Sequence, residues 1–362
     1  MMLRRIMSIA LCALMVASLS VSAFAADVSQ DLVYEETYEI PMTLASIATE
    51  ETKYERGRNV MLAMGYDAEL IDSMDKSHVA GYAEATAAMG VTRYYRIHYY
   101  LNNEKNTRAA SDHLSITVTP EERENLEAVV QPLTKEEFEE ISLEISEMQE
   151  ERETVAQADL IQEEEVFDEC MILQAKAAQL SDSTYKISGH YEWTTKPQGF
   201  LYKQRTDVFT IAPDLLGRFN NNTMYAIRKV EWAQTRTDVS GVHHMTYGND
   251  EKEYNGANDM TFRDGGFGID VPIEYSVTGK DGRNYSNYRG YIGGEMTVSP
   301  DDVQATLKIC VDYAEMTGYI NISSISVGIP KSASISFGVD DDDFKVQESA
   351  LMFHVPDFKK VS

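Results

Sequence analysis

Residues Thr184–Thr195 read TYKISGHYEWTT. Ile187, Tyr191 and Trp193 share one side of this stretch when the chain is extended, because successive side chains of a strand alternate between faces. Strand follows strand from there. Arg205–Ala212, Met224–Arg236, Gly268–Thr278, Tyr288–Ser299, Ala305–Ala314, Tyr319–Val327, Ala333–Val339 and Phe344–His354 all alternate or are rich in β-branched and aromatic residues, and Gly, Asn, Asp and Pro separate them. Helical periodicity is nearly absent. This predicts a large antiparallel β-sandwich over 183–355, with a short tail at 356–362. Leu307, Ile309, Val311 and Tyr313 form a second apolar strand face. Burying each such side chain is worth roughly 1.5–3 kcal/mol, so the core needs neither metal nor disulfide to exist. No G-x-G-x-x-G follows a strand, which excludes a doubly wound nucleotide-binding fold.

Upstream, the period is again two. In Val91–Leu101, Val91, Arg93, Tyr95, Ile97, Tyr99 and Leu101 share one face and Thr92, Tyr94, Arg96, His98 and Tyr100 the other. His113–Thr119 reads as the return strand of a hairpin over 91–119. A lone hairpin is marginal in water, so it is expected to join the sandwich.

Residues 120–182 read as an acidic helical segment. Thr119-Pro120-Glu121-Glu122 and Thr134-Lys135-Glu136-Glu137 are capping boxes, and Phe138, Ile141, Ile145 and Met148 recur at the spacing of one helical face. Residues 121–169 hold 19 acids and 3 bases. A solvated helical face accounts for such a run, as does a cation-binding arm.

Residues 51–90 form a small helical unit. Val60, Met61 and Met64 make an apolar stripe that Gly65 stops, and Asp67 caps a second helix carrying Leu70, Ile71 and Met74. A third helix, with Val79, Tyr82 and Ala83, runs toward Gly90. Residues 26–50 lack a period and read as an extended leader. Ahead of them, Arg4 and Arg5 precede an apolar run from Ile6 to Val21 and an Ala23-Phe24-Ala25 ending. That is the pattern of a cleaved signal peptide over 1–25, and it places the mature chain outside the cell or on its surface. The apolar run is shorter than the roughly 20 residues a spanning helix needs, and the mature chain has no transmembrane segment.

The signal contains two arginines and no acids, so its removal takes the net charge from −27 to −29. A nucleic-acid partner requires a basic surface, and no basic cluster occurs. Two cysteines remain in the mature chain, Cys170 and Cys310. An oxidising exterior permits a disulfide between them; two separate buried thiols are the alternative.

Candidate sites are few. His243 and His244 are adjacent, and no H-E-x-x-H accompanies them. The oxygen-rich stretches Asn249–Asp259 and Asp340, Asp341, Asp342 and Asp343 read as loops, the second being the better candidate for structural calcium. No G-x-S-x-G and no cysteine-protease signature is present. Tyrosines are the positive feature. Tyr94, Arg96, His98 and Tyr100 form the more polar face of their strand and are the candidate ligand surface.

Two stretches carry a resemblance. Met64–Met74, followed by a tyrosine-rich strand, and Tyr185-Lys186-Ile187 through Trp193, Lys196-Pro197 and Arg205–Phe209 resemble secreted β-rich proteins of Gram-positive bacteria. That group has no assigned activity, so the resemblance implies an extracellular setting and no site residues. The expected class is therefore α+β: the helical unit, the acidic helical segment and the sandwich. The expected function is an exported, non-catalytic module that binds a protein or glycan. A carboxylate-dependent hydrolase and a purely structural surface protein are the rivals.

Overall fold

A computed structural model describes residues 34–40, 50–101, 114–119, 126–155, 164–197, 205–213, 217–237, 243–256, 260–263, 266–273, 283–299, 306–316 and 344–354. The signal stretch, Tyr319–Val327, Ala333–Val339 and Asp340–Asp343 lie outside them.

The chain opens with strand β1 (Tyr34–Tyr38) and helices α1 (Glu50–Ala63), α2 (Ala68–Asp72) and α3 (Lys76–Ala80). Gly65 adopts φ +74°, and the Tyr66 amide returns to the Met61 carbonyl at 3.1 Å, which ends α1 as a left-handed cap. The Asp67 carboxylate accepts from the Leu70 amide and starts α2. Asp75 does the same for α3 through the Ser77 and His78 amides. Strand β2 (Ala87–Leu101) follows, then β3 (Ser115–Val118), β4 (Leu126–Leu133), helix α4 (Lys135–Val155), β5 (Glu164–Phe167), β6 (Glu169–Gln179) and β7 (Thr184–Trp193). The remainder is strand: β8 (Arg205–Pro213), β9 (Gly217–Phe219), β10 (Tyr225–Thr237), β11 (His243–Asn255), β12 (Thr261–Arg263), β13 (Gly266–Ile273), β14 (Arg283–Val298), β15 (Thr306–Met316) and β16 (Phe344–His354).

A nine-stranded antiparallel sheet runs β1-β2-β6-β7-β14-β10-β11, with β4 also on β2 and β9 on β14. A five-stranded sheet runs β12-β13-β8-β15-β16, and β3 pairs with β5 alone. The two large sheets share one apolar core, a sandwich-like arrangement. Ile187, Tyr191 and Trp193 meet Phe209, Ile309, Val311 and Tyr313 there, and the Trp193 indole donates to the Tyr313 hydroxyl at 3.2 Å. A Cβ on Gly189 would sit 2.6 Å from Val311 Cγ1, so only glycine allows this approach of the sheets.

Several expectations are corrected. The 120–182 segment is not one helical arm, because among its described residues helix covers only Lys135–Val155 and strands flank it. β6 (ECMILQAKAAQ) is buried on both faces, which removes the polar alternation that marks a half-exposed strand. The capping box at Thr134 does form: the Thr134 amide donates to Glu137 Oε2 at 2.9 Å, and the Glu137 amide to Thr134 Oγ1 at 3.2 Å. His113–Thr119 is not the return partner of β2. β4 fills that role, with Tyr94 opposite Leu133 and Leu101 opposite Leu126, and β3 pairs with β5. Residues 34–38 of the supposed leader are an added strand on β2. His243 and His244, together with Asn249–Asn255, belong to a strand and not to loops.

Candidate functional site

The sheet register places the outer face of the large sheet, the one away from the shared core. Thr92, Gln174, His190, Tyr291 and Ile227 stand opposite one another across β2-β6-β7-β14-β10. The next row is Gly90, Lys176, Ser188, Gly293 and Tyr225. This face is largely polar, yet it is buried, because α1–α3 lie over it and contribute their own apolar cluster of Val60, Met61, Leu70 and Ile71.

Hydroxyls and rings join the helical cap to the sheet. Tyr66 bonds Ser188 at 2.6 Å. Tyr291 bonds both Tyr82, at 2.7 Å, and His78 Nε2, at 2.8 Å. The His78 ring stacks on Tyr225 at 4.4 Å, and the Tyr225 hydroxyl accepts from the Asp75 amide at 3.0 Å. Burial, then the nearby Lys186 charge, holds His78 well below its ordinary range. Burial lowers His190 to about 3, with Lys176 and Arg289 adding to the effect. Lys176 Nζ lies 4.1 Å above the Tyr66 ring, and among the described residues it has no hydrogen-bond partner. Burial lowers its pKa to about 7.

The row expected to be a ligand surface lies on the same outer face and is also covered. Tyr94, Arg96, His98 and Tyr100 are all buried. Tyr94 packs against Phe138 of α4 and Tyr34 of β1, at ring separations of 4.9 and 5.5 Å. Arg96 Nε donates to Asp168 Oδ2 at 2.6 Å, and His98 Nδ1 lies 2.8 Å from the same oxygen. Asp168 Oδ1 accepts from the Tyr99 amide at 3.1 Å. Tyr100 stacks on His98. This network pins β2 to the β5–β6 junction and leaves these four residues at most 9% exposed. Cys170 and Cys310 are both buried and no disulfide joins them. Cys170 lies in the cluster beneath α4. Burial pushes its thiol up to about 12. Among the described residues no group of His, Cys, Asp and Glu is arranged to hold a metal ion, and no helix is long and apolar enough to cross a membrane.

An accessible site forms where the helical cap ends. Beyond Lys229 the outer face is no longer covered, and Glu231, Ala233, Tyr247, Asn249 and Ser286 share it by register. Glu69 of α2 forms the opposite wall of a cleft of about 480 Å³. Tyr247 is 70% exposed and Met245 58% exposed, and the Tyr247 hydroxyl reaches Met245 Sδ at 3.6 Å. The two make an apolar ledge beside a polar floor. Arg289 ties the walls together, with Nη2 donating to Glu69 Oε2 and Glu231 Oε1 at 2.9 Å each. Asn287 also donates to Glu231, at 2.7 Å, from a left-handed position with φ 52° that accompanies a break in the β10–β14 register. On the sheet's other face Trp232 backs the cleft. Its indole donates to Asp250 Oδ1 at 3.1 Å and carries the Arg283 guanidinium at 4.1 Å. Sequence reasoning missed this site, because His243–Asn255 is too polar to read as a strand. The alternation of Met245, Tyr247 and Asn249 was the available signal.

No family model and no curated protein matches the chain. Among solved structures it is similar to the collagen-binding domain of a Staphylococcus aureus adhesin, at TM-score 0.23 and 7% identity over 48% of this chain and 89% of that one. It is similar to the collagen-binding subdomain of the Enterococcus faecalis surface protein ACE, at TM-score 0.22 and 6% identity over 47% and 87%. It is also similar to the group B streptococcus pilus 2b backbone protein, at TM-score 0.23 and 10% identity over 49% and 82%. At scores this low the likeness assigns neither fold nor function.

Proposed function

We propose that the chain is an exported, non-catalytic extracellular or cell-surface module that binds a protein or glycan in the cleft between α2 and the β10–β11 corner. The observation that carries this reading is the exposed Met245–Tyr247 ledge beside Glu69, Glu231, Asn249 and Ser286. A flat aromatic ring next to amide, hydroxyl and carboxylate groups suits a ligand that is apolar on one side and hydrogen-bonding on the other. Export rests on Arg4, Arg5, the apolar run from Ile6 to Val21 and the Ala23-Phe24-Ala25 ending. The net charge of −27 argues against a nucleic-acid partner. No cofactor is part of this reading. Calcium at Asp340–Asp343 would declare itself as a loss of β signal on adding chelator alone.

The test is capture by the protein lacking residues 1–25 from culture supernatant, cell-wall fraction and host matrix, set beside its Tyr247→Ala variant. Tyr247 is largely exposed, so the variant should fold as the parent does. Loss of capture by the variant is the expected result. Equal capture by both forms would move the ligand site elsewhere.

One observation favours a second reading, a carboxylate-dependent hydrolase. Glu69 and Glu231 meet on a single guanidinium, and glycosidases flank their substrate with two carboxyl groups. A general acid must donate a proton, however, and both of these groups accept from Arg289. Release of reducing ends from wall glycan that disappears in Glu69→Gln and Glu231→Gln would establish the hydrolase over the binding module.

A further inference from the structure

Among the described residues, strand β11 is an edge of the large sheet. It pairs with β10 over thirteen residues, Thr237–His243 through Tyr225–Asn255, without a break in register. Edge strands expose a row of backbone amides and carbonyls, and proteins guard them with charge, proline or bulges. Here the guard covers only half of the strand. Asp250, Glu251, Lys252 and Glu253 occupy the second half, whereas His244–Asn249 holds no acid, no lysine or arginine, and no proline. Those residues are exposed apart from Gly248, which is half-buried against Trp232, where an added Cβ would sit 2.3 Å from the ring. The unguarded half is thus regular in register and topped by Met245 and Tyr247.

On the outer face beside it carboxylates outnumber cations, with Glu251 held on Lys229 at 3.2 Å. Asp67, Glu69 and Glu231 all contact Arg289, at 3.6, 2.9 and 2.9 Å, so three carboxylates share one guanidinium. An acidic occupant would be repelled there, as would a second copy of a chain with net charge −27. A lysine or arginine side chain would be drawn in.

Resting on the binding reading above, we infer that the His244–Asn249 edge takes up an extended, basic peptide segment as one more antiparallel or parallel strand. Main-chain hydrogen bonds to the edge supply affinity. Every second side chain of the peptide faces the Met245–Tyr247 ledge and the Glu69–Glu231 mouth, which selects lysine or arginine at alternate positions.

The experiment is a fluorescence-polarisation titration of the protein lacking residues 1–25 with the blocked peptide KVKTKVK and its acidic counterpart EVETEVE. Two further forms of the basic peptide are N-methylated at the odd or at the even amides. One strand edge uses only alternate amides, so one methylated form should lose about tenfold or more in affinity and the other little. Binding of the basic peptide should weaken in Tyr247→Ala and Glu231→Gln, and the acidic peptide should bind about tenfold less tightly or not at all. Equal tolerance of both methylation patterns would overturn strand addition, as would absence of binding by KVKTKVK. A β-1,4-linked N-acetylglucosamine hexamer serves as the parallel probe. Sugar binding that is lost in Tyr247→Ala, without peptide binding, would overturn this inference and leave the cleft as a glycan site. Neither probe responding to Tyr247→Ala would remove the cleft reading as well.

Discussion

Lys176→Met should stabilise the protein and flatten its pH dependence. The amine is buried at the centre of the large sheet, beneath the helical cap, with the faces of Tyr66 and Tyr38 at 4.1 and 5.7 Å, and the Glu36 and Glu192 charges offset part of the effect of burial. Burial lowers its pKa from 10.5 to about 7. Each unit corresponds to about 1.4 kcal/mol, so keeping the group charged in the fold costs roughly 4–5 kcal/mol at its fullest. The sign follows from proton counts. Above pH 10.5 the amine is neutral in both states and the cost is absent. Between 10.5 and 7 the unfolded chain holds a proton that the native chain does not, so stability falls as pH falls. Near pH 7 the loss is complete and it stays constant below. From pH 7 to pH 9 this group alone should add about 2 kcal/mol to the unfolding free energy. Lys186, also lowered by burial, acts in the same direction. Methionine keeps an unbranched side chain, one atom shorter, without the charge. Its gain at pH 7 is the roughly 4 kcal/mol removed, less about 1–2 kcal/mol for the lost contact of the cation with the ring, hence about 2–3 kcal/mol. Urea titrations at pH 7 and 9 would measure both quantities. Wild type and variant rising in parallel between these pH values, or a variant no more stable at pH 7, would refute the assignment of Lys176 as a buried and penalised amine.

Three further outcomes can be checked alongside it. Asp168→Ala strips the shared acceptor from Arg96 and His98 and leaves a guanidinium buried without its carboxylate; by denaturant titration it should cost about 3–5 kcal/mol. Gly189→Ala drives a methyl to 2.6 Å from Val311 Cγ1 and should lose about 1–3 kcal/mol through overpacking, with partial recovery in the double variant with Val311→Ala. Cys170 should resist thiol-specific labelling in the native state, and reductant should leave the melting temperature unchanged, because the thiol is buried, pushed up to about 12 and not joined to Cys310; rapid labelling at pH 8 or a melting shift with reductant would contradict this.

The parts of the fold that could be read in the sequence are those in which one face is wet or one residue is conformationally special. β7, β8, β10, β14 and β15 alternate because one face meets the shared core, and their positions match within a few residues. Gly65, Asp67 and Thr134 stand where caps require them. What misled was burial on both sides. β6 lies between β2 and β7, under both a helix and a sheet, so its alanines, Ile172 and Leu173 carry no period of two and resemble a helix. The opposite case is β11, an edge strand so exposed that its sequence reads as a loop. The polar row Tyr94, Arg96, His98 and Tyr100 reads as a solvent-facing ligand surface because its residues are polar. Asp168, about seventy positions away, satisfies Arg96 and His98, and no local pattern announces that partner.

The cap and the cleft are parts of one arrangement. α1–α3 cover a polar sheet face, and burying such a face without partners would be unfavourable. The cap therefore supplies Tyr66, His78 and Tyr82 to Ser188 and Tyr291, and the Asp75 amide to Tyr225. Its last contribution is the pair Asp67 and Glu69, which reach Arg289 at the margin. Glu69 forms a cleft wall only while the cap is docked, and Arg289 holds it opposite Glu231. Lys176 lies deeper and touches neither wall, so its replacement acts on how firmly the cap sits. Glu231 and Tyr247 lie on the open face and act on what enters. Stability and binding are thus controlled by different residues of the same outer face, and substitutions at the two sets should separate them.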